Sequence, residues 1–486
     1  PADAVAARRS MQLLVSPTLE RALLDIVLQP AESAASLRPF QSPASPLETV
    51  ADELMAAAAL RSLVTPENNP SDAQALDRHV QTVMGQLVAS QQDAGSWTWT
   101  GQRGDADLLA TARAAWALSL AKQAGCSIHE PTLDAALDAL QAGIADSDET
   151  DYDRRAVLLH AMAAAGNGNF SLVNRLHRDR AQLSPTALAY LALTLVEMDR
   201  NDTAAEVLGL LQDQDLDKEP AEPQAASHRS HSSVELRAIC LLVLMKIAPD
   251  SPQIDTRAEW LLSQRSSARW QAGGAMGPAV VALARWHAKR AGQDKPAEQV
   301  ERVEKAQPFS LALVVNGREL RRLELAANGP TQVVDVPADM LAGDATEVRF
   351  LTDAEASYAW QCLLDGYIPL DNAKAATGAQ VVQKVCQPAP RMLDGRELPR
   401  GFGILTGNYK RFTNPLTQLP VEHRALVELY VRRLSGSDAA ASRPEYVVIT
   451  DPIPAGMRVV EQSITGSIER FEVTPVGIVF HLVHSD

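Results

Sequence analysis

Apolar residues recur at three- and four-residue spacing along the first half of the chain, from Leu47 to about Arg290. Residues at this spacing share one face of a helix, as Leu108, Ala112 and Trp116 do. Short polar segments interrupt the pattern, which predicts antiparallel helical hairpins. These segments are Thr65 to Asp72, Gln91 to Asp105, Asp146 to Asp151, Gly166 to Asn169 and Glu219 to Ser233. The length predicts about a dozen helices.

Two stretches of this half resemble each other and indicate a weak internal repeat. They are LVASQQDAGSWTWTGQRGDADLLATARAAWALSLAKQAG from Leu87 and WLLSQRSSARWQAGGAMGPAVVALARWHAKRAG from Trp260. Each contains a helix that ends in a Gln-containing turn, then a Trp, a loop of small residues and an Ala-rich helix. Because such a unit cannot bury its apolar face alone, several must stack. We predict an α/α toroid in which the run Ala279 to Ala284 belongs to a helix buried on both sides.

The period changes after the charged stretch Lys289 to Lys305, where alternating and β-branched residues predict strands. The first predicted set, within residues 309–364, is FSLALVVNG, TQVVDVP, TEVRFLT and ASYAWQCLL. The second set, within residues 423–484, is HRALVELYVRRL, EYVVITDPIPAGMRVVE, IERFEVT and VGIVFHLVH. Since the polar, Ala/Gly-rich segment Leu370 to Gln380 lies between them, two β-sandwich-like domains are the simplest interpretation.

Composition and charge narrow the class of function. The chain of 486 residues is long enough for about three domains. A net charge of −15 argues against a nucleic-acid partner, because phosphate binding needs a concentrated Lys/Arg surface. There is no run of about eighteen apolar residues that could span a bilayer. Neither zinc-ligand spacing nor a phosphate-binding or nucleophile motif is present, so we predict no metal and no cofactor. The chain begins at Pro1 without a signal-peptide pattern, and we interpret it as a piece of a longer protein.

The four cysteines leave two interpretations open. Cys126 and Cys240 lie in the helical half, and Cys362 and Cys386 lie in the β half. One interpretation is a disulfide between Cys362 and Cys386, and the other is four free, mostly buried thiols, since cysteine is often a small core residue.

The segment YVVITDPIPAGMRVVE, residues 446–461, predicts a strand, a Pro-stiffened turn with Gly456 at positive φ, and a return strand. A strand ending in this turn resembles the last macroglobulin domain of bacterial α2-macroglobulins. The order of domains strengthens the match, since a helical toroid with WLLSQ and ARWQ motifs comes first. Only 25 residues follow Glu461, fewer than the family's final domain normally supplies, so we expect that domain to be truncated.

The resemblance implies a domain order for the whole chain. Residues 1–290 would be the thioester-domain toroid and residues 291–306 a linker. Residues 307–370 would be the second part of a CUB-like domain, and residues 371–486 the C-terminal macroglobulin-like β-sandwich.

The family's thioester segment resembles Tyr-Pro-Tyr-Gly-Cys-Leu/Val-Glu-Gln-Thr at the start of the toroid. The corresponding residues 42–50 keep Pro43, Leu47 and Glu48. However, Pro46 stands where the Cys should be and Thr49 where the Gln should be. A thioester joins a thiol sulfur to the acyl carbon of a Gln side chain three residues on, and neither partner is present. We therefore expect a Pro-rich loop followed by a helix turn near Glu48, with no covalent trapping by this chain.

The resemblance implies a non-enzymatic, broad-spectrum protease inhibitor of the periplasm, with association at the inner membrane left open. Proteases would be its partners, snared after they cleave a bait region upstream of Pro1. Without a thioester, trapping would be by enclosure, and the domains of this chain would pack on upstream macroglobulin domains. A scaffold role beside other envelope proteins is the alternative.

Two enzyme classes built on α/α toroids are weaker alternatives. QQDAGSW and SARWQ resemble the Gln/Trp repeats of triterpene cyclases, and Asp146 to Thr150 resembles their acidic motif. A solvated turn between helices is the favoured interpretation of that acidic run, because it lies among further acidic residues in a predicted loop. An α/α glycosidase would need two carboxylates facing one cleft, for which Asp105, Asp107, Asp148 and Asp151 are the candidates.

Four tryptophans could line a ligand pocket, but aromatic residues on repeated helices more often fill a core. We predict that Trp97, Trp99, Trp116 and Trp270 form the aromatic core of the toroid. Trp97 and Trp99 are the least secure members, because they lie in a predicted loop.

Overall fold

A computed structural model of the chain defines the fold. It describes residues 10–28, 46–64, 66, 69–102, 104–212, 233–266, 269–270, 275–290, 308–326, 329–341, 345–352, 358–365, 380–388, 392–393, 396–397, 424–433, 445–454, 456–468, 470–473 and 477–484. The chain forms two compact units. One contains residues 1–367 and 442–486, and the other contains residues 368–441.

Twelve α-helices occur in the described residues, and eleven of them lie in the periodic region, for which about a dozen were predicted. They are α1 Leu19–Leu28, α2 Pro46–Arg61, α3 Pro70–Ser90, α4 Leu108–Gln123, α5 Glu130–Asp146, α6 Tyr152–Ala164, α7 Phe170–Arg178, α8 Pro185–Glu197, α9 Asn201–Gln212, α10 Ser233–Ile247, α11 Gln253–Ser263 and α12 Met276–Arg290. The predicted breaks at Gln91 to Asp105, Asp146 to Asp151 and Gly166 to Asn169 are confirmed between these helices. Of the break Thr65 to Asp72, residues 70–72 belong to α3 and residues 65, 67 and 68 lie outside the described residues, as does the break from Glu219 up to Ser233.

Polar side chains set where several helices begin. Asn69, Asn169 and Ser184 each accept a hydrogen bond from a backbone N–H in the first turn of the helix that follows. Asp107 accepts two, from the N–H groups of residues 109 and 110, each at 2.9 Å. These oxygens satisfy backbone donors that have no partner within the helix, so the breaks seen in the sequence become helix starts.

The even-numbered helices form a closed inner ring. Each of α2, α4, α6, α8 and α10 contacts the next even-numbered helix, and α12 contacts α2. The odd-numbered helices α1, α3, α5, α7, α9 and α11 pack against members of this ring. The two stretches of the predicted repeat each run from an outer helix to an inner helix. The first runs from α3 to α4 and the second from α11 to α12.

Burial separates the two sets of helices. In α4, all the residues from Ala110 to Ala121 are buried, whereas α3 buries a single stripe that includes Leu76, Val80 and Leu87. A helix that is apolar all round suits an interior position, and a striped helix suits a solvated surface. The predicted burial of Ala279 to Ala284 is confirmed, with every residue of the run at most 1% exposed.

Two three-stranded antiparallel sheets follow in the same unit. Their strands are β1 Ser10–Ser16, β4 Phe309–Val315, β5 Arg318–Leu325, β6 Gln332–Val336, β7 Val348–Thr352 and β8 Ala359–Asp365. A two-residue pair, β2 Arg265–Ser266 and β3 Arg269–Trp270, precedes them within the helical half. The sheet orders are β6-β1-β8 and β5-β4-β7. Met11, Leu13 and Val15 share one apolar core with residues of β4 and β5.

Two strands of these sheets differ from the sequence-based prediction. Residues 10–16 form the central strand β1 of a sheet rather than part of the helical region, which the prediction extended back to residue 1. Strand β5 was not predicted, because its charged residues Arg318, Arg321 and Arg322 hide the alternation. In the structure these side chains are exposed, while Leu323 and Leu325 are buried.

The C-terminal residues form a third antiparallel sheet, β13-β15-β14, also in the first unit. Its strands are β13 Glu445–Pro452, β14 Arg470–Val473 and β15 Gly477–His484, all within predicted strand segments. Gly456 has the predicted positive φ, at 81°. The predicted return strand is wrong, because residues 457–460 lie outside any strand and β15 pairs with β13 in its place.

The second unit contains two antiparallel strand pairs among its described residues. Strand β9 Gln380–Pro388 pairs with β12 Ala425–Arg433, and β10 Met392–Leu393 pairs with β11 Arg396–Glu397. In the described part of the whole chain, no helix combines the length and the apolar character of a membrane span.

Candidate functional site

The segment matched to the thioester pattern lies at the start of an inner helix. Helix α2 begins at Pro46, a residue suited to a first helical position, and Glu48 lies in its first turn. Leu47 is buried, and Glu48 and Thr49 are half-buried. The helix turn expected near Glu48 is confirmed. The Pro-rich loop expected before it lies outside the described residues.

Cysteine thiols in the described residues lie away from this turn. Arg61, the last residue of α2, donates a hydrogen bond from Nη1 to Sγ of Cys126 at 3.2 Å. A 16-residue helix rises about 22 Å from its first residue to its last. Cys126 is therefore at the opposite end of α2 from Pro46. Cys240 is buried within α10, where burial raises the pKa of its thiol to about 11.

The state of Cys362 decides whether the disulfide considered in the sequence analysis is present in this structure. Cys362 is a free, exposed thiol in β8, so it takes no part in a bridge in this structure. The side chain of Cys386 lies outside the described residues. Cys126 and Cys240 are also free and are buried.

The loop 91–107, described at residues 91–102 and 104–107, lies against the first turn of α2. A Cβ placed on Gly101 would lie 3.5 Å from Cδ1 of Leu47, which shows how closely the loop approaches the turn. Gly101 has φ of 74°, a conformation that glycine adopts without strain. Its backbone N–H donates to the carbonyl of Thr98 at 3.3 Å, and the hydroxyl of Thr98 donates to the carbonyl of Gln102 at 2.6 Å. The loop is thus a fixed turn beside the matched segment.

Two tryptophans of this loop point in different directions. Trp97 is fully buried in the core of the helical ring, and its Nε1 donates to the carbonyl of Leu87 at 2.9 Å. Trp116 belongs to the same core. Trp99 is also buried but does not belong to it, which corrects the prediction for this residue. The side chain of Trp270 lies outside the described residues.

The C-terminal sheet buries Trp99. The ring of Trp99 meets the ring of His481 on β15 edge to face, with centroids 5.4 Å apart. Arg470 on β14 donates from Nη1 to the carbonyl of Thr100 at 3.0 Å, and its Nη2 lies 2.7 Å from Glu472. The loop 91–107 therefore contacts two elements. It lies beside the first turn of α2, which carries the residues matched to the thioester pattern, and it is bound to the C-terminal sheet.

A second group of polar residues lies at the centre of the helical ring. Nη2 of Arg113 on α4 lies 2.5 Å from Oε1 of Glu235 on α10, and the hydroxyl of Tyr190 on α8 donates to the same oxygen at 2.6 Å. Nε of Arg113 lies 3.5 Å from Oδ1 of Asp52 on α2. His160 on α6 contacts Tyr190, with ring centroids 5.4 Å apart. We call these five residues the ring-centre cluster.

Burial shifts the titration of this cluster. It raises the pKa of Asp52 to about 6, although Arg113 and the backbone N–H groups of Gly277 and Met276 on α12 lower it. It lowers the pKa of His160 to about 3, with Arg113 adding to the effect. Through Gly277 and Met276, all six inner helices contribute to the cluster or contact it.

Sequence reasoning did not single out the ring-centre cluster. A usable signal is present for Arg113, which is the single charge in the Ala/Leu-rich run LLATARAAWALSL, and a weaker one for Glu235, which shares the run SVELRAICLLVL with Arg237. Charged residues are almost never fully buried unless they are paired, so isolated charges on such helices indicate partners on neighbouring helices.

The candidate carboxylates for an enzyme have different surroundings. Asp107 is buried and caps α4, whereas Asp105 and Asp148 are exposed. Asp148 accepts from the backbone N–H and the hydroxyl of Thr150, and Glu149 pairs with Arg175. Asp151 lies in the N-cap position of α6. The acidic run is a turn between helices, and the buried carboxylates Asp52 and Glu235 are held by Arg113.

No protein-family model matches the sequence, and no curated protein matches it. Solved structures do. The chain aligns over 100% of its length with Salmonella α2-macroglobulin reacted with methylamine, at 17% identity and a TM-score of 0.56, and spans 29% of that chain. It aligns equally with native Escherichia coli α2-macroglobulin from domain MG7 to the C-terminus, at 17% identity and a TM-score of 0.56, and spans 72% of that chain.

The native conformation of full E. coli α2-macroglobulin gives a TM-score of 0.57 at 16% identity, over 100% of this chain and 29% of that one. These identities support a relationship at the level of the fold. The chain has the fold of the C-terminal region of bacterial α2-macroglobulins. It spans less than a third of the full-length proteins.

Proposed function

We propose that this chain is the C-terminal region of an α2-macroglobulin-like protein that traps proteases without forming a thioester. The observation that carries the proposal is the first turn of α2. In the sequence match to the family's thioester pattern, Pro46 and Thr49 would stand at the positions of the Cys and the Gln, and neither side chain can make that bond. The fold provides the family context, since it aligns over the whole chain with bacterial α2-macroglobulins.

The domain assignment is part of the proposal. The closed ring of inner helices with its outer helices would be the α/α toroid of the thioester-domain type. The sheets β6-β1-β8 and β5-β4-β7 would be the CUB-like domain, and this accounts for β1, because a strand from before the toroid joins strands from after it. Residues 371–486 would be the macroglobulin-like domain.

Trapping by enclosure is the mechanism that remains for a chain without the thioester. A protease would be held by domains that close around it, and its active site would stay open to small substrates. Proteases are then the partners, and the periplasm is the compartment that the family resemblance implies. The ring-centre cluster would keep the toroid rigid while other domains move, because its buried charges tie the inner helices together.

The proposal can be tested by incubating the whole protein that contains this region with proteases of different specificity. The activity of each protease is then measured on large protein substrates and on small peptides. We expect loss of activity on large protein substrates, retained activity on small peptides, and no protease adduct that survives SDS. Protection of neither substrate class at any stoichiometry would contradict the trap and favour the envelope scaffold. Adducts that survive SDS and fail to form after the protein has been pretreated with methylamine, which consumes a thioester, would contradict the thioester-free mechanism.

A matched variant sharpens this experiment. Pro46→Cys with Thr49→Gln would recreate Cys-Leu-Glu-Gln in the first turn of α2, while Thr49→Gln alone lacks the thiol. If the surroundings still shelter a thioester, the double variant takes up methylamine and the single variant does not. The unmodified protein should take up none, because it has no acyl group for the amine to attack.

A further inference from the structure

We propose that His481 makes the contact between the C-terminal sheet and the loop 91–107 acid-labile, so that protonation of its ring frees this loop without any cleavage. The contact consists of the Trp99–His481 ring pair and the hydrogen bond from Arg470 to the carbonyl of Thr100. We call it the loop–sheet contact. The acid-induced opening itself does not depend on the proposed function. Only its role in a protease trap rests on that function.

The strand register places the relevant groups side by side. Arg470 on β14 lies directly opposite His481 on β15, so both side chains leave the same face of the sheet. Glu472, two residues along β14, shares that face. The loop meets the sheet here, since Trp99 contacts His481 and Thr100 accepts from Arg470.

The His481 ring has a surrounding that suits its neutral form. His481 is 4% exposed, and its Nδ1 has no hydrogen-bond partner among the described residues. A neutral imidazole tolerates this arrangement with Nδ1 as the unprotonated nitrogen. Protonation would turn Nδ1 into a buried N–H donor without an acceptor among the described residues and would add a charge to a ring that is almost fully buried.

The neighbouring charges act on the ring in opposite directions. Burial lowers the pKa of His481, Glu472 raises it, and Arg470 lowers it. Arg470 would repel an imidazolium directly opposite, and Glu472 already pairs with Arg470 at 2.7 Å. On β13 the cross-strand neighbour is Val448, and Asp451 lies three residues further, toward the other face. From the loop, Trp99 and Thr100 present uncharged groups.

The sign of the effect follows from linkage. In the open state, a solvated His481 regains its ordinary pKa near 6.5, which is above its pKa in the closed state. The open state therefore binds more protons below pH 6.5, and acid shifts the equilibrium toward it. Between the pKa of His481 in the closed state and its pKa in the open state, the ratio of closed to open molecules falls up to about tenfold for each unit by which the pH is lowered.

Hydrogen exchange of the whole chain tests the inference between about pH 7.5 and pH 5, corrected for intrinsic exchange rates. Peptides that cover residues 96–102 and strand β14 report the contact, and peptides from α4 report the helical ring. We expect the loop and β14 to lose protection with a midpoint below pH 6.5 while α4 stays protected.

Two variants separate His481 from other acid effects. His481→Phe keeps an aromatic ring against Trp99 but cannot be protonated, so its loop should stay protected across the whole range. His481→Gln, a neutral polar replacement, should behave in the same way and serves if the phenylalanine does not fit. His177→Gln on α7 removes a histidine outside the contact and should open like the unmodified chain.

Two results would overturn the inference. The loop and β14 of the unmodified chain could stay protected until α4 also loses protection, or both His481 variants could open at the same pH as the unmodified chain. The assay contains no protease, so its outcome is independent of whether the protein traps one.

Discussion

The ring-centre cluster and the loop–sheet contact both bury charged or titratable groups, but they connect the molecule in different ways. In the cluster, Arg113 joins Glu235 at 2.5 Å and Asp52 at 3.5 Å, and all three are at most 8% exposed. In the loop–sheet contact, Arg470 retains partial exposure and reaches across to a backbone carbonyl. The cluster ties the inner helices together, whereas the contact joins one loop to the strands β14 and β15 of one sheet.

This difference indicates which part of the unit can open while the rest stays folded. Breaking the cluster leaves charges in a closed interior, which is costly, so the ring should unfold as one body. Breaking the loop–sheet contact returns Arg470 and His481 to water, which solvates them. Local opening is therefore expected at the contact and not at the ring.

The largest effect should come from removing a charge from the ring-centre cluster. Glu235→Ala deletes the carboxylate that accepts from both Arg113 and Tyr190. Removing one partner of a buried ion pair typically destabilises a protein by about 3–5 kcal/mol. We expect the free energy of unfolding of the helical ring, measured by urea denaturation, to fall by about this amount.

A surface ion pair provides the matched control. Glu206 on α9 lies 2.9 Å from Arg180, with its side chain 52% exposed. Glu206→Ala should change the free energy of unfolding by less than about 1 kcal/mol, because exposed pairs are screened by solvent. Equal effects of the two substitutions would show that the cluster does not hold the ring together.

The sequence predicts the regular parts of both regions but not the contacts that distinguish them. Helix periodicity and caps such as Asp107 identify the helices, and alternation identifies β13, β14 and β15. The direction of Trp99 could not be predicted, because Trp97 and Trp99 share a loop in which no period decides which one faces inward. Strand β1 was missed because its partners Val334 and Cys362 lie more than 300 residues away, and seven residues carry too little periodicity.

The next largest effect is on the pH dependence of the free energy of unfolding. His160 and Asp52 of the ring-centre cluster change it in opposite directions. His160 has a pKa of about 3 in the folded chain and 6.5 when solvated, so the unfolded chain binds more protons between these values. Its contribution therefore destabilises the fold as pH falls below 6.5. Asp52 has a pKa of about 6 instead of 3.8, so its contribution destabilises the fold as pH rises through that window.

Single variants separate the two contributions, which offset each other in the unmodified chain. Between pH 6.5 and pH 4.5, His160→Leu should gain about 2 kcal/mol of stability relative to the unmodified chain at the same pH. Asp52→Asn should lose stability relative to it over the same change. Urea denaturation at several pH values measures both differences, and parallel pH profiles for all three proteins would contradict the assigned pKa shifts.

The smallest effect should come from the loop–sheet contact itself. Arg470→Met keeps much of the aliphatic side chain but removes the donor to the carbonyl of Thr100 and the pairing with Glu472. A hydrogen bond from a charged donor at a partly exposed site contributes about 1 kcal/mol, so the ratio of closed to open molecules should fall about fivefold at any pH. The free energy of unfolding of the ring should stay the same, because the cluster is untouched. Hydrogen exchange of residues 96–102 beside peptides of α4 measures both quantities.

Arg349→Met on β7 removes an equally charged side chain, paired with Glu347 at 2.8 Å, and should leave the loop unchanged. If Arg470→Met loosened α4 as much as the loop, the ring and the contact would form one cooperative body, and the opening of the loop by acid could not be local.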